Sequence, residues 1–373
     1  MWYPTTLTSS RDHKLKNQFL TLIRLGIGHS VTDIPEAIDW ESVHSIAVEQ
    51  GLSAIVLDGA QVLTDKGELV DGRVMDVKLK KQWIGGVIQK YEWEYENYRK
   101  TLGKLARFYN EHGFKLMVLK GYGLGLNYPR PEHRPCGDID IWAFGRYLEA
   151  DAALTNELSI PVDDSHHHHT TFNYKGYLVE NHYDFVNVHY GHGNEELEKV
   201  FKELAKDDSK RTEIDGQTVY LPSANLHALF VLRHMMTHFA STGISIRHLL
   251  DWAFLLEKQG AEIDWYWFLD MLDRFHLTGF FHCLNTICVS DLGFDGSIFP
   301  EGHFDVALKD RVLDDILSPE FDEPTPDSFF RRIPFKYRRW QANAWKQDLC
   351  YGDSRFMSFW RGVWSHLMKP SSI

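Results

Sequence analysis

Two aspartates one residue apart, in Asp138-Ile139-Asp140, carry the clearest chemical signal in this chain. They open a stretch, 138–144 (DIDIWAF), whose polar and apolar residues alternate as in a half-buried strand. Side chains alternate faces along a strand, so both carboxylates project from one face, about 7 Å apart, while Ile139 and Ile141 point into the core. Such a pair suits magnesium, a hard cation that prefers carboxylate, water and phosphate oxygens. Paired ions about 3.5–4 Å apart can clamp the attacking and leaving oxygens of a phosphoryl displacement.

The neighbours extend the pattern. Lys120-Gly121 follows a short apolar run, 115–119 (KLMVL). Arg134 lies four residues before Asp138, where its planar guanidinium either clamps a phosphate or bridges to a site carboxylate. Downstream, Glu180 is the expected third carboxylate, binding a metal or accepting the proton of an attacking hydroxyl. His182 and Asp184 share its face by parity, and Asp184 is the reserve third ligand. A D-x-D pair alone also fits a solvated strand edge or a turn. The flanking apolar pattern, the upstream Lys-Gly and the downstream acid favour a metal–nucleotide site.

The elements that would position these residues fall into three parts: a helical 1–112, an α/β core at 113–221, and a helical 222–373 with an acidic, proline-rich linker near 318–328. Residues 78–112 read as one long helix stopped by Gly113. Strands are expected at 115–119, 138–144, 170–173, 177–190 and 218–221. Helices are expected at 121–127, 145–158 and 195–206, and a final one at 351–368. The fold class is therefore α+β or α/β.

Composition narrows the setting. The chain has 373 residues, and 43% apolar content is enough for a packed core. No apolar run reaches the roughly 18 residues needed to span a bilayer, so no membrane is expected. Four cysteines are too few for a disulfide framework, and the start lacks the features of a secretory signal, which points to the cytoplasm. A net charge of −12 argues against general DNA binding.

The segments Val118-Leu119-Lys120-Gly121, Tyr128-Pro129, Arg134, Asp138-Ile139-Asp140-Ile141 and Val179-Glu180-Asn181-His182-Tyr183 resemble the uncharacterised nucleotidyltransferase family of bacteria. That family belongs to the DNA polymerase-beta-like nucleotidyltransferase superfamily. Leu226-His227-Ala228, His234 and Arg247-His248-Leu249-Leu250-Asp251 resemble its helical part, so the likeness covers about 40–260. The resemblance implies a small mixed sheet flanked by helices and two Mg2+ ions, with Mn2+ possible in their place. It implies transfer of a nucleoside monophosphate from a nucleoside triphosphate such as ATP, pyrophosphate leaving, to a hydroxyl on an unknown small molecule, protein or RNA. By motif position, Asp138 and Asp140 match the metal-binding pair and Glu180 the third acid. His182 and His234 would stand near the nucleotide.

This chain departs from the superfamily where Lys120-Gly121-Tyr122 replaces the usual Gly-Ser or Gly-Gly, so no hydroxyl is available for the terminal phosphates. Lys120, or the backbone amides of the helix opening at Gly121, would take that role. The departure also allows a catalytically inactive nucleotide-binding or regulatory module. A third alternative, a His-rich metallohydrolase, would use His234 and His238, spaced i, i+4, with Asp251. The run His166–His169 is read as an exposed loop or hairpin edge rather than a metal ligand set. The segment 329–347 interleaves basic and aromatic residues; it either binds single-stranded nucleic acid or packs its rings on the domain.

Overall fold

The computed structural model describes residues 10–351 apart from 69, 189–192, 303–304, 322, 325 and 327. The N-terminal part comprises α1 (Ser10–Gly26), α2 (Trp40–Glu49), α3 (Ser53–Asp65), α4 (Val77–Val87) and α5 (Trp93–Glu111). A single wide π-helical turn, Ile88–Glu92, joins α4 to α5, so the expected long helix is continuous but interrupted in pitch. That turn buries Tyr91, whose hydroxyl accepts from the Ser53 amide at 3.2 Å. Gly113 ends α5 with φ of 69°, a left-handed conformation open to glycine without strain.

The middle of the chain folds as β1 (Met117–Val118), α6 (Tyr122–Gly125), β2 (Ile139–Trp142), α7 (Tyr147–Leu158), β3 (His169–Tyr174), β4 (Tyr177–His182), α8 (Asn194–Leu204), β5 (Arg211–Ile214) and β6 (Gln217–Tyr220). These strands form one mixed sheet in the order β3-β4-β2-β1-β6-β5. The expected strand 177–190 stops at His182, and its last two residues lie outside the described residues. β5 was not expected: Arg211-Thr212-Glu213-Ile214 has a charged outer edge, but the Asp215-Gly216 turn folds it back on β6.

The sheet is covered on both faces. One face, with Val118, Ile139, Ile141, Phe172, Val179 and Val219, packs in a core with Leu102 and Leu105 of α5 and Leu154 of α7. On the other face, Met117 and Trp142 join a larger core with the C-terminal helices. These helices are α9 (Ala224–Ser241), α10 (Ile246–Gln259), α11 (Trp265–Arg274), α12 (Thr278–Ser290), α13 (Val306–Leu317), α14 (Phe329–Ala342) and α15 (Ala344–Tyr351). The arrangement is α+β, a six-strand mixed sheet flanked by helices.

The basic aromatic segment contributes to this packing. Trp345 meets Phe239 edge-on, the Arg311 guanidinium lies 4.1 Å from the Trp345 ring centroid, and buried Lys346 pairs with Asp315 at 2.5 Å. The expected helix at 351–368 lies outside the described residues beyond Tyr351. Among the described residues, no helix is long and apolar enough to cross a membrane.

Candidate functional site

Strand register assembles the site. Parallel pairing of β2 with β4 sets Asp140 beside Glu180 and Trp142 beside His182. Antiparallel pairing of β4 with β3 sets His182 beside His169. Because side chains alternate, Asp140, Glu180, His182 and His169 emerge on the face opposite Ile139, Ile141 and Val179. Lys120 arrives from the end of β1, and α9 lays His234 across the row. The result is a cleft of about 440 Å³ whose walls include Lys120, Asp138, Asp140, Glu180, His234 and Arg247.

Asp140 is its electrostatic centre, with only 2% exposure. Its Oδ1 lies 2.6 Å from Lys120 Nζ and 3.3 Å from His182 Nε2. Burial would raise the Asp140 pKa, but the Lys120 ammonium and His182 outweigh it and hold the carboxyl far below the usual range. Asp138 sits at the exposed mouth, just before β2. Partial desolvation and the Asp140 charge push its pKa up. His182 Nε2 also lies 3.6 Å from Glu180 Oε2. Burial disfavours charge on His182, yet the bonds to Asp140 and Glu180 prevail and raise its pKa.

Asp140, Glu180 and His182 each offer one ligand atom, and the three atoms lie within 4.8 Å of one another. With Asp138 at the mouth, this donor set fits a divalent cation.

Several expected roles shift. Arg134 is buried and fully engaged: Nε and Nη2 meet the Asp251 carboxylate at 2.7 and 2.9 Å, and Nη1 donates to the Pro135 carbonyl at 3.0 Å. The ion-pair alternative thus describes it, with Asp251 of α10 as partner rather than a metal-site acid. Asp251 also accepts from Tyr128 Oη at 2.7 Å, so it bridges α10 to the loop and leaves the proposed hydrolase triad without its acid. His234 Nε2 takes the Lys120 ammonium at 3.3 Å; burial and that charge keep its pKa well below the usual value. Asp184 follows the end of β4 and pairs with Lys202 of α8, away from Asp140, so Glu180 is the acid beside the pair.

Gly121 earns its identity through close packing. Its φ is 51°, and a Cβ there would stand 2.4 Å from Tyr98 Oη, which donates to the Asp138 carbonyl at 3.1 Å. The helix it opens is one turn long, which weakens the expected anion site at that N-terminus. Asn181 donates to Asp151 of α7 at 2.8 Å, and Thr170 holds the other carboxylate oxygen at 2.8 Å.

Residues that sequence reasoning passed over also line the site. Arg247, with its side chain 25% exposed, reaches Asp251 at 3.5 Å and His248 at 3.3 Å and lines the cleft less tightly held than Arg134. Its signal was the i, i+4 spacing to Asp251. The histidine run is the larger revision. His166 is exposed, but His168 is half-buried and His169 is buried against His182, with ring centroids 5.2 Å apart. Burial, reinforced by the His182 charge, pushes the pKa of both His168 and His169 down to about 3, so each keeps a lone pair at neutral pH.

No curated protein and no solved structure matches this chain. A family model does, and it spans both the sheet and the helices that close the cleft: residues 36–292 match the uncharacterised nucleotidyltransferase family, to which the chain belongs.

Proposed function

We propose that the cleft binds a nucleoside triphosphate with a divalent ion, magnesium or manganese in its place, and transfers the nucleoside monophosphate to a hydroxyl acceptor. The observation that carries this reading is the row Lys120–Asp140–His182–Glu180 on one sheet face beside a 440 Å³ cleft. Asp138, Asp140 and Glu180 would hold the ion. It would supply positive charge to the phosphate oxygens.

The chain's own residues do the rest. Lys120 and Arg247 offset phosphate charge that the surrounding acids would otherwise repel. His234 aims Lys120, and Tyr98 with Gly121 fixes the approach to Asp138. The acceptor oxygen bonds to the α-phosphorus, the bridging P–O bond breaks to release pyrophosphate, and Glu180 takes the hydroxyl proton. The four cysteines are unpaired, as suits a reducing cytoplasm, where we place the reaction.

Pyrophosphate release from each triphosphate, with sugars, protein and RNA offered separately as acceptors, tests the proposal. Release that requires magnesium and vanishes in Asp138→Asn supports it; release unchanged in that variant overturns the site. The Lys120–Asp140 pair favours one second reading, a nucleotide-binding module without transfer, because the ammonium competes with a cation for the same oxygen. That reading expects magnesium-dependent binding with no pyrophosphate release under any acceptor.

A further inference from the structure

We propose that His168, His169 and His182 form a binding site for a transition-metal ion, zinc foremost, beside the carboxylate row. It stands whether or not nucleotidyl transfer occurs, because its readout is the bound metal.

Three observations carry it. Each histidine offers a ring nitrogen, and the three nitrogens lie within 4.8 Å of one another. The rings come from two strands: β3 supplies His169, the residue before it is His168, and β4 supplies His182. The His168 carbonyl accepts the Tyr183 and Asp184 amides, both at 3.0 Å, which pins the start of β3 against the end of β4.

The second observation is a pair of orphans. Nδ1 of His168 and Nδ1 of His169 are buried with no hydrogen-bond partner, and His169 as a whole is 7% exposed. A buried polar nitrogen left unpaired costs about 1–3 kcal/mol. A bound cation supplies the missing partner.

The third is orientation. His182 Nδ1 lies 3.3 Å from the Asp184 carbonyl, so backbone holds one ring nitrogen; Nε2, which meets Asp140 at 3.3 Å in the metal-free chain, becomes the ligand on releasing its proton as the metal binds. Metal-binding imidazoles are held in this way, by the nitrogen that does not ligate. Glu180 Oε1 lies 3.9 Å from His169 Nε2, so the histidine cluster adjoins the carboxylate row. Imidazole-rich donors favour zinc, cobalt or iron over magnesium, whereas the neighbouring carboxylates favour magnesium.

The rival explanation is that four consecutive histidines chelate any soft ion on a surface loop. It is separable, since of the four only His168 and His169 gather with His182, which is remote in sequence. Tag-free full-length protein, purified without a nickel column and stripped of metal, is titrated with zinc in the presence of millimolar magnesium. The expected result is one zinc per chain. His169→Ala and His182→Ala should each weaken it by at least about tenfold, as loss of a metal-site partner does. His166→Ala with His167→Ala should leave it unchanged. Thermal melts check that the variants fold. Should His182→Ala unfold, cobalt decides: an intense visible absorption in the parent that His168→Ala removes supports the site. Zinc binding unaffected by His182→Ala, lost in the His166/His167 pair, or displaced by millimolar magnesium overturns it. So does a parent protein that binds neither zinc nor cobalt.

Discussion

Arg134–Asp251, buried on both sides, and Lys120–Asp140, with a partly exposed lysine, are ion pairs in the wall of one cleft that differ in how fully their atoms are used. Arg134 places its three donor nitrogens on acceptors, and Asp251 adds the Tyr128 hydroxyl; the pair is geometrically closed. Asp140 shares one oxygen between a flexible ammonium and an imidazole that also faces Glu180. A closed pair holds elements in place. An open one leaves charge that can be reassigned to a ligand, and this separates framework from site better than burial or charge does.

The largest expected effect tests the closed pair. Arg134→Ala leaves buried Asp251 with only Arg247 at 3.5 Å and the Tyr128 hydroxyl, and urea unfolding should show a loss of about 3 kcal/mol, mostly recovered in Arg134→Met with Asp251→Leu. A loss under about 1 kcal/mol would erase the distinction between the pairs. Next, Asp140→Asn should lower the transfer rate by about 10²–10³, the range for removing one charge-stabilising group, while destabilising the fold less than Arg134→Ala. Equal stability losses at both positions would break the comparison.

Glu198 sharpens the contrast as a buried acid with little cationic help. It accepts the Phe185 and Val186 amides at 2.9 and 3.0 Å, yet burial pushes its pKa from 4.5 up to about 7. The folded chain then keeps a proton that the unfolded chain releases, so this stability is full below pH 4.5 and falls as pH rises to about 7. Glu198→Gln should flatten that slope by up to about 3 kcal/mol in unfolding measured across the window. An unchanged slope would place the titration elsewhere. The smallest expected effect is on binding: Lys120→Gln should raise the triphosphate Kd about tenfold, or about 1.4 kcal/mol, by calorimetry with magnesium. No change would mean that the ammonium serves Asp140 alone.

What was legible in the sequence is what short-range pattern encodes. Alternation in DIDIWAF and the acid on the next parallel strand are local facts, and the register joins them as that alternation requires. Arg134 and Asp251 find each other through the packing of α10 on the loop, and no local pattern announces that contact. The histidine run was legible only in part for the same reason: it lies at a hairpin edge, as expected, but His169 is buried there. Composition shows four similar rings, whereas pairing of β3 with β4 decides which of them turn inward. The same holds for Asn181, whose partner, Asp151, lies on α7.

The sheet order carries a consequence for time. β1 is two residues long and sits in the middle of the sheet, held on one side by β2 and on the other by β6, through Met117 and Tyr220. Nearly the whole α/β part must therefore be synthesised before the central strand has both neighbours. His234 and Arg247, which complete the cleft, come later still. Pairings so distant in sequence close slowly. The charged cleft is therefore complete only once α10, which carries Arg247, has been made and docked on the sheet.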